Sequence, residues 1–302
     1  MKAIAIIMVL ILAAAIAGCE MLPSTGDNNG GGSTGKAFKA TGSSGIVVSF
    51  DPDKPPRTAS VNEPIELVLN VKNRGTEDLG SGSIKVKLKG TAATQSFNPS
   101  SKESSNSDTI AAVDEFGYVS EGKIDMGTIT YSPQEMVAAS YTPAIEADIC
   151  FPFVTKATTN NFYIGSKSAD VSKTSSSLDN SDAPVQAGSL AAEPHSGLGE
   201  LQFTFLVSNV GKGKAVLNCE GESTEKSTVA PKAEEEKVTV EIIEPSGASC
   251  KNAGEVTLIG GKKKIECSVP ISKDEEAYQT QLLIRLSYNY KKEISTKVTI
   301  EK

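Results

Sequence analysis

Residues 64–75 read Pro-Ile-Glu-Leu-Val-Leu-Asn-Val-Lys-Asn-Arg-Gly, and this stretch decides the fold. Every second side chain from Ile65 to Val71 is apolar, an alternation typical of a β-strand that buries one face. The strand ends in Asn73-Arg74-Gly75, residues that favour a turn. The stretch therefore predicts an antiparallel β-sheet with one face in a core and the other in solvent.

The same pattern returns later in the chain. Residues 200–211 read Glu-Leu-Gln-Phe-Thr-Phe-Leu-Val-Ser-Asn-Val-Gly and match residues 64–75 at a constant offset of 136. Two further matches follow in the same order, 265–267 over 124–126 and 282–290 over 145–153. Three ordered matches predict a duplicated unit. Chance similarity between two unrelated sandwiches is the alternative.

These patterns predict an all-β fold, with two tandem antiparallel β-sandwiches after a signal peptide and a flexible tether. The signal peptide is expected at 1–18, the lipidated Cys19 and tether at 19–45, and sandwich 1 at 46–168. A Ser-rich linker at 169–182 then leads to sandwich 2 at 183–302. Long polar inserts at 91–122 and 220–237 are expected at the same place in each sandwich, where such folds display binding loops.

The N-terminus has the features of an export signal. Lys2 is followed by an unbroken apolar run from Ala3 to Ala17, shorter than the ~20 residues of a spanning helix. Ile16-Ala17-Gly18-Cys19 resembles the lipobox of prokaryotic lipoproteins, which implies cleavage before Cys19 and a lipid on its thiol. The alternatives are an ordinary signal peptide with an incidental cysteine, and an uncleaved helix.

Composition argues against several classes of function. A net charge of −7 opposes nucleic-acid binding, and the lack of Trp removes the usual stacking platform for sugars. The single histidine, His195, lies in a predicted turn, and we find no catalytic set and no transition-metal site. Asp51 with Asp53, and Asp179 with Asp182, could offer oxygen atoms to Ca²⁺ but lack an EF-hand order. We expect no enzyme activity and no cofactor or metal.

Four cysteines remain after Cys19, an even number that predicts two disulfides in an exported protein. Cys250 and Cys267 flank a predicted hairpin with strands at 255–259 and 262–266, and we favour this pair. Cys150 lies on the strand face opposite the apolar one. A bond to Cys219 would staple the two sandwiches together, but a free thiol or another connectivity is an open alternative.

Lysines mark two further strands. Lys85, Lys87 and Lys89 point outward from a predicted strand, where charge discourages edge-to-edge pairing. The run 262–264, Lys-Lys-Lys, is the one compact basic patch in the sequence, and the same role is expected for it. The alternative is contact with an acidic partner or with phospholipid headgroups.

Residues 64–76, followed by 82–88, resemble the extracellular Ig-like modules of the CARDB and S-layer-associated type in archaeal and some bacterial surface proteins. The resemblance implies a seven-stranded sandwich that serves as a spacer, adhesion or envelope-assembly module without an active site. We therefore expect an extracytoplasmic cell-surface protein of archaeal type, held to the membrane by lipid on Cys19. We expect it to bind an envelope protein but not nucleic acid. The alternative is a solute-capturing lipoprotein that works beside a transporter.

Overall fold

The structure, a computed structural model, describes residues 45–90, 97–133, 138–195, 198–220, 235–251, 254–272 and 276–302. Its described residues belong to one compact unit. The signal peptide, the lipobox, Cys19 and nearly all of the tether lie outside them. Within these ranges, no helix is long and apolar enough to cross a membrane.

The fold is all-β, as predicted, apart from one helical turn in the described chain. The strands up to the end of the first repeat are β1 (Ile46–Phe50), β2 (Thr58–Ser60), β3 (Pro64–Asn73), β4 (Lys85–Lys89), β5 (Phe97–Pro99), β6 (Glu103–Ser105), β7 (Ser120–Tyr131), β8 (Ser140–Tyr141) and β9 (Ala144–Ile164). The helical turn α1 (Ser168–Val171) and β10 (Asp179–Asn180) follow. The second repeat comprises β11 (Val185–His195), β12 (Glu200–Asn209), β13 (Lys214–Val216), β14 (Glu236–Glu244), β15 (Ser249–Cys250), β16 (Gly254–Leu258), β17 (Lys262–Pro270), β18 (Tyr278–Lys297) and β19 (Thr299–Glu301).

The sheets repeat the same design twice. Two four-stranded sheets have the orders β1-β3-β7-β5 and β11-β12-β17-β15. They pack on one large sheet of order β16-β14-β18-β9-β4-β6, which β10 and β13 join from the sides. This order is symmetric about its centre, because β4, β6 and β9 occupy the positions that β14, β16 and β18 occupy in the other half. A small sheet, β2-β19-β8, completes the fold.

Strand registers confirm the duplication. The strands β3 and β12 begin and end at matching residues of the repeat. Leu69 faces Ile124 across β3 and β7, and the matching Phe205 faces Ile265 across β12 and β17. The two repeats therefore share the register of their paired strands as well as the alternation of apolar residues.

The turn after each of these strands is built by the same asparagine. The side-chain oxygen of Asn73 accepts a hydrogen bond from Gly75 N–H (2.9 Å), and its amide donates to the Glu77 carbonyl (3.0 Å). Asn209 does the same with Gly211 (3.1 Å) and Gly213 (2.9 Å). Asn-x-Gly thus satisfies backbone groups at the strand end in both repeats.

The strands β9 and β18 cross from one repeat to the other. They pair antiparallel along their whole length, and Pro152 lies opposite Asn289, its own match in the repeat. A pseudo-twofold axis therefore passes between these two residues. On one side of the axis β9 pairs with β4, and on the other side β18 pairs with β14.

Each repeat is completed by a strand segment of the other. The last part of β9, residues 155–164, lies over the second repeat, where the rings of Phe162 and Phe203 meet edge to face at 5.2 Å. In return, the last part of β18 runs along the first repeat, and β19 then pairs with β2 in parallel. The two sandwiches predicted as separate modules are therefore joined by exchanged strands, because β9 and β18 are each twice the length that one sandwich needs.

The segment predicted as a linker is folded. Within residues 169–182, β10 pairs with β9, and Val171 and Leu178 are buried. The Ser-rich composition predicted a linker because these two apolar residues are few among polar ones. Their burial packs the segment against the second repeat.

Two local predictions are wrong. The predicted hairpin at Gly260 and Gly261 is limited to one antiparallel bridge between Ile259 and Lys262. Beyond that bridge the strands separate, because β16 pairs with β14 and β17 pairs with β12 in the opposite sheet. The inserts do not occupy the same place either: residues 91–122 follow β4, whereas residues 220–237 lead into β14, the strand that matches β4.

Candidate functional site

A groove of about 1020 Å³ lies on the outer face of the large sheet, beside the Cys150–Cys219 disulfide. We call it the lysine groove. Its lining includes seven lysines and four acidic residues: Lys85, Lys87, Lys89, Lys212, Lys214, Lys291, Lys292, Glu103, Asp148, Glu220 and Glu293. The ammonium group of Lys292 lies 3.4 Å from the Val48 carbonyl oxygen of β1, on the opposite side of the sheet, so six lysines contribute their charge to the groove. The local excess of positive charge contrasts with the net charge of −7 of the whole chain.

Strand pairing places four of the lining residues in one row across the sheet. Lys85 lies opposite Cys150, Cys150 opposite Lys291, and Lys291 opposite Lys214. Residues that lie directly opposite each other point to the same face of a sheet. The disulfide therefore lies in a row that contains three lysines and no carboxylate.

The neighbouring row is mixed in charge. Lys87 lies between Glu103 and Asp148, and Glu293 lies opposite Asp148 on the next strand. Lys87 binds Glu103 at 2.7 Å, and this hydrogen bond raises the pKa of the lysine and lowers that of the carboxyl group.

Further ion pairs lie at the two ends of the groove. Lys85 binds Glu220 at 2.6 Å, which lowers the pKa of that glutamate. Lys89 binds Asp148 at 3.0 Å and also binds Glu293, whose hydrogen bond is the main cause of its raised pKa. These pairs are largely exposed, so each contributes little to stability. They hold the lysine side chains along the groove.

The disulfide between Cys150 and Cys219 joins Cα atoms 5.5 Å apart. It ties β9 to the segment after β13, and the carboxamide oxygen of Asn289 on β18 lies 3.5 Å from the Cys219 sulfur. The bond links residues of the two repeats, but it does so over a sheet that is already continuous. Cys150 is buried although its strand face is polar, because the disulfide and its neighbours cover it.

The Lys212-Gly213-Lys214 segment is fixed by the core. The hydroxyl of Tyr290 accepts a hydrogen bond from Gly213 N–H at 2.6 Å, and burial raises the pKa of this tyrosine. A Cβ atom at Gly213 would collide with the Lys291 carbonyl oxygen. Glycine is therefore required between the two lysines, and the segment has a defined position beside the groove.

The favoured disulfide, Cys250–Cys267, is present in the structure. The two residues lie directly opposite each other on β15 and β17, with Cα atoms 3.9 Å apart. Gly254, the first residue of β16, lies opposite Val240 in the other sheet, so β15 and not β16 pairs with β17 at Cys267. This disulfide is remote from the lysine groove and closes the edge of the second repeat.

The other candidate residues are not assembled into a site. His195 is exposed at the end of β11, opposite Glu200. Asp51 accepts a hydrogen bond from Asp53 N–H at 3.1 Å, which is the main cause of its lowered pKa and marks a local turn. Asp179 pairs through its backbone with Thr158. Across the described ranges, no group of three or more His, Cys, Asp or Glu side chains could hold a metal ion.

The structure changes the interpretation of the lysines on β4. Lys85, Lys87 and Lys89 were expected to guard a sheet edge, but β4 is paired with β9 on one side and with β6 on the other. Their function as edge protection is therefore excluded. The alternating lysines were visible in the sequence, but their association with residues 212–214 and 291 depends on the strand exchange.

An exposed aromatic pair was also missed by the sequence analysis. Phe116 and Tyr118 are 78% and 72% exposed. The carboxylate of Asp114 accepts hydrogen bonds from both of their backbone N–H groups at 2.9 Å, which holds the loop in a tight turn. The signal available in the sequence was the pair of aromatics around Gly117 within an otherwise polar insert.

Comparisons with known proteins assign no family. No protein-family model matches this chain, and no curated protein matches it significantly.

Proposed function

We propose that this protein is a non-catalytic scaffold of the cell surface, held at the membrane by lipid on Cys19, whose two Ig-like sandwiches act together as a spacer, adhesion or envelope-assembly module. The observation that carries the proposal is the exchange of β9 and β18 between the repeats. A continuous backbone ladder between two sandwiches gives one firm body at the end of a tether. Such a body is suited to presenting surfaces to an envelope protein.

The exchanged strands also favour a scaffold over a solute-capturing protein. Capture by closure needs two lobes that hinge around a cleft. Here a hinge between the repeats would have to break the backbone hydrogen bonds between β9 and β18. The lysine groove is a surface feature of the continuous sheet, not a cleft between mobile lobes.

An Ig-like assignment is supported by the order of the strands. The first repeat packs β1-β3-β7-β5 against β6-β4-β9, and β18 of the other repeat lies next to β9. An immunoglobulin constant domain packs strands A-B-E-D against C-F-G. In this proposal, β18 supplies the G position of the first repeat and β9 supplies that of the second.

An extracytoplasmic location is supported by the two disulfides, since such bonds persist in oxidising compartments. A lipid anchor is consistent with this location. Each buried CH₂ of a lipid chain contributes about 0.8 kcal/mol, so two or more long chains on Cys19 would hold the protein stably at the membrane.

The anchor is tested by Cys19→Ser in the full chain expressed in a lipoprotein-processing host. We expect the variant to leave the membrane fraction and to lose metabolic labelling with a fatty-acid or isoprenoid precursor. Ser24→Ala, a substitution a few residues further along, serves as the control and should stay membrane-bound and labelled. A Cys19→Ser protein that remains in the membrane would show that the uncleaved helix is the anchor.

A further inference from the structure

We propose that the lysine groove binds an extended, acidic segment of a partner protein. The inference rests on the proposed function and deepens it, because it names the surface that meets the envelope partner and the chemistry of that partner. The groove combines concavity, an excess of positive charge and a fixed framework within a chain of net charge −7. Complementary charge steers association and sets specificity.

The lysines are not required by the fold. Lys85 and Lys87 on β4 correspond to Thr239 and Glu241 on β14, because Val86 and Val240 face the matching residues Ile149 and Leu286. The second repeat therefore forms the matching strand without lysine at these two positions. The positive charge is a property of this one face, not of the sandwich.

Two lysines of the row lie next to each other. Lys214 and Lys291 lie directly opposite each other across β13 and β18. A single acidic side chain of a ligand that lies along the row would be close to both residues.

The backbone of the groove is also fixed before any ligand binds. Tyr290 fixes the Gly213 backbone, and the Cys150–Cys219 disulfide fixes the row between Lys85 and Lys291. A preorganised surface loses less conformational entropy on binding than a mobile one. This is the second feature that distinguishes the groove from a set of scattered surface lysines.

The lining favours a polypeptide over an acidic polysaccharide. None of the described residues that line the groove is aromatic, so these residues offer no ring on which a sugar could stack. Four carboxylates are interleaved with the lysines. They would repel a uniformly charged polyanion, whereas a peptide with separated acidic side chains can place them at the lysines alone.

The test uses the full-length protein in detergent and a fluorescent peptide of about ten residues with alternating Glu and Ser. We expect saturable binding by fluorescence anisotropy that weakens as salt is added. The variant Lys212→Ala/Lys214→Ala should bind roughly tenfold more weakly at low salt, since two exposed charges near the ligand are lost. Lys262→Ala/Lys264→Ala removes two lysines from the other basic patch and should bind within twofold of wild type.

Several outcomes would overturn the inference. The first is that the Glu-Ser peptide does not bind, and the second is that a Gln-Ser peptide binds equally well. The third is that both lysine variants lose the same amount of affinity although their thermal midpoints match wild type. Tighter, groove-dependent binding of a carboxylated polysaccharide would reassign the surface to glycans. None of these results involves Cys19, so failure of the groove is distinguishable from failure of the anchor.

Discussion

At the scale of single residues, Tyr288 shows how the exchanged strands are secured. Its side chain is buried, and its hydroxyl accepts a hydrogen bond from Val185 N–H (3.2 Å) and lies 3.1 Å from the Thr155 hydroxyl. Thr155 in turn donates to the Val185 carbonyl at 2.8 Å. The network joins β18, β9 and β11 at the place where β9 passes into the second repeat.

This network predicts a pH-dependent effect of Tyr288→Phe. Near pH 7 the variant should lose about 1–3 kcal/mol of unfolding free energy, because the buried Val185 N–H loses its partner. Burial raises the pKa of Tyr288 in the folded protein. Its contribution is therefore complete below the unfolded pKa of about 10 and is lost as pH rises above it.

Urea unfolding of wild type and Tyr288→Phe across alkaline pH measures this effect. The difference between the two proteins should shrink by about 1 kcal/mol from pH 9.5 to 11. Taking the difference removes the contributions of other groups, including Lys292, whose pKa burial lowers. A difference that stays constant across this range would contradict the proposed burial of the hydroxyl.

At the scale of elements, the two disulfides make unequal contributions. Cys150–Cys219 spans 69 residues of sequence and Cys250–Cys267 spans 17. In the chain-entropy description the longer loop contributes about 4 kcal/mol and the shorter about 3 kcal/mol. Cys150→Ser/Cys219→Ser should therefore lower the denaturant midpoint more than Cys250→Ser/Cys267→Ser does. The reverse order would show that the long connection is already restricted in the unfolded chain.

Elements also show how far the sequence could predict the fold. Alternation correctly identified β3, β12 and the apolar faces of β9 and β18, because one-sided burial has a direct signature of period two. Which strands pair with each other could not be predicted as well from the sequence. The residues of β16 and β17 have the pattern of a hairpin, yet the Gly260-Gly261 turn leads from one sheet to the other. A turn within one sheet and a turn between two sheets can have the same local sequence.

The lysine groove was beyond prediction for a related reason. Alternating lysines on β4 were evident, but nothing local indicates that residues 212–214 and 291 lie beside them. Their proximity follows from the length of β9 and β18. This length is not evident in the sequence, because Pro152 and polar residues interrupt the strand pattern. Pro152 lies opposite Asn289 at the pseudo-twofold axis, within the continuous pairing of β9 and β18.

At the scale of the whole molecule, the exchanged strands make the two repeats interdependent. Without residues 155–164, the second repeat would expose the edge of β18 and apolar core residues such as Phe203, which packs against Phe162. The first repeat would likewise lack β19, in which Ile300 is fully buried. Neither repeat should fold alone as a monomer, although each retains the complete alternating pattern of a sandwich.

The most direct test is to produce residues 183–302 alone and to measure their mass by sedimentation together with their urea unfolding. Strand exchange predicts no folded monomer: the fragment is either unfolded or self-associated, with β18 pairing to β18 of a second copy. Adding residues 46–182 should restore a folded one-to-one complex. A fragment of residues 183–302 that is monomeric and unfolds cooperatively would contradict strand exchange as the basis of the fold.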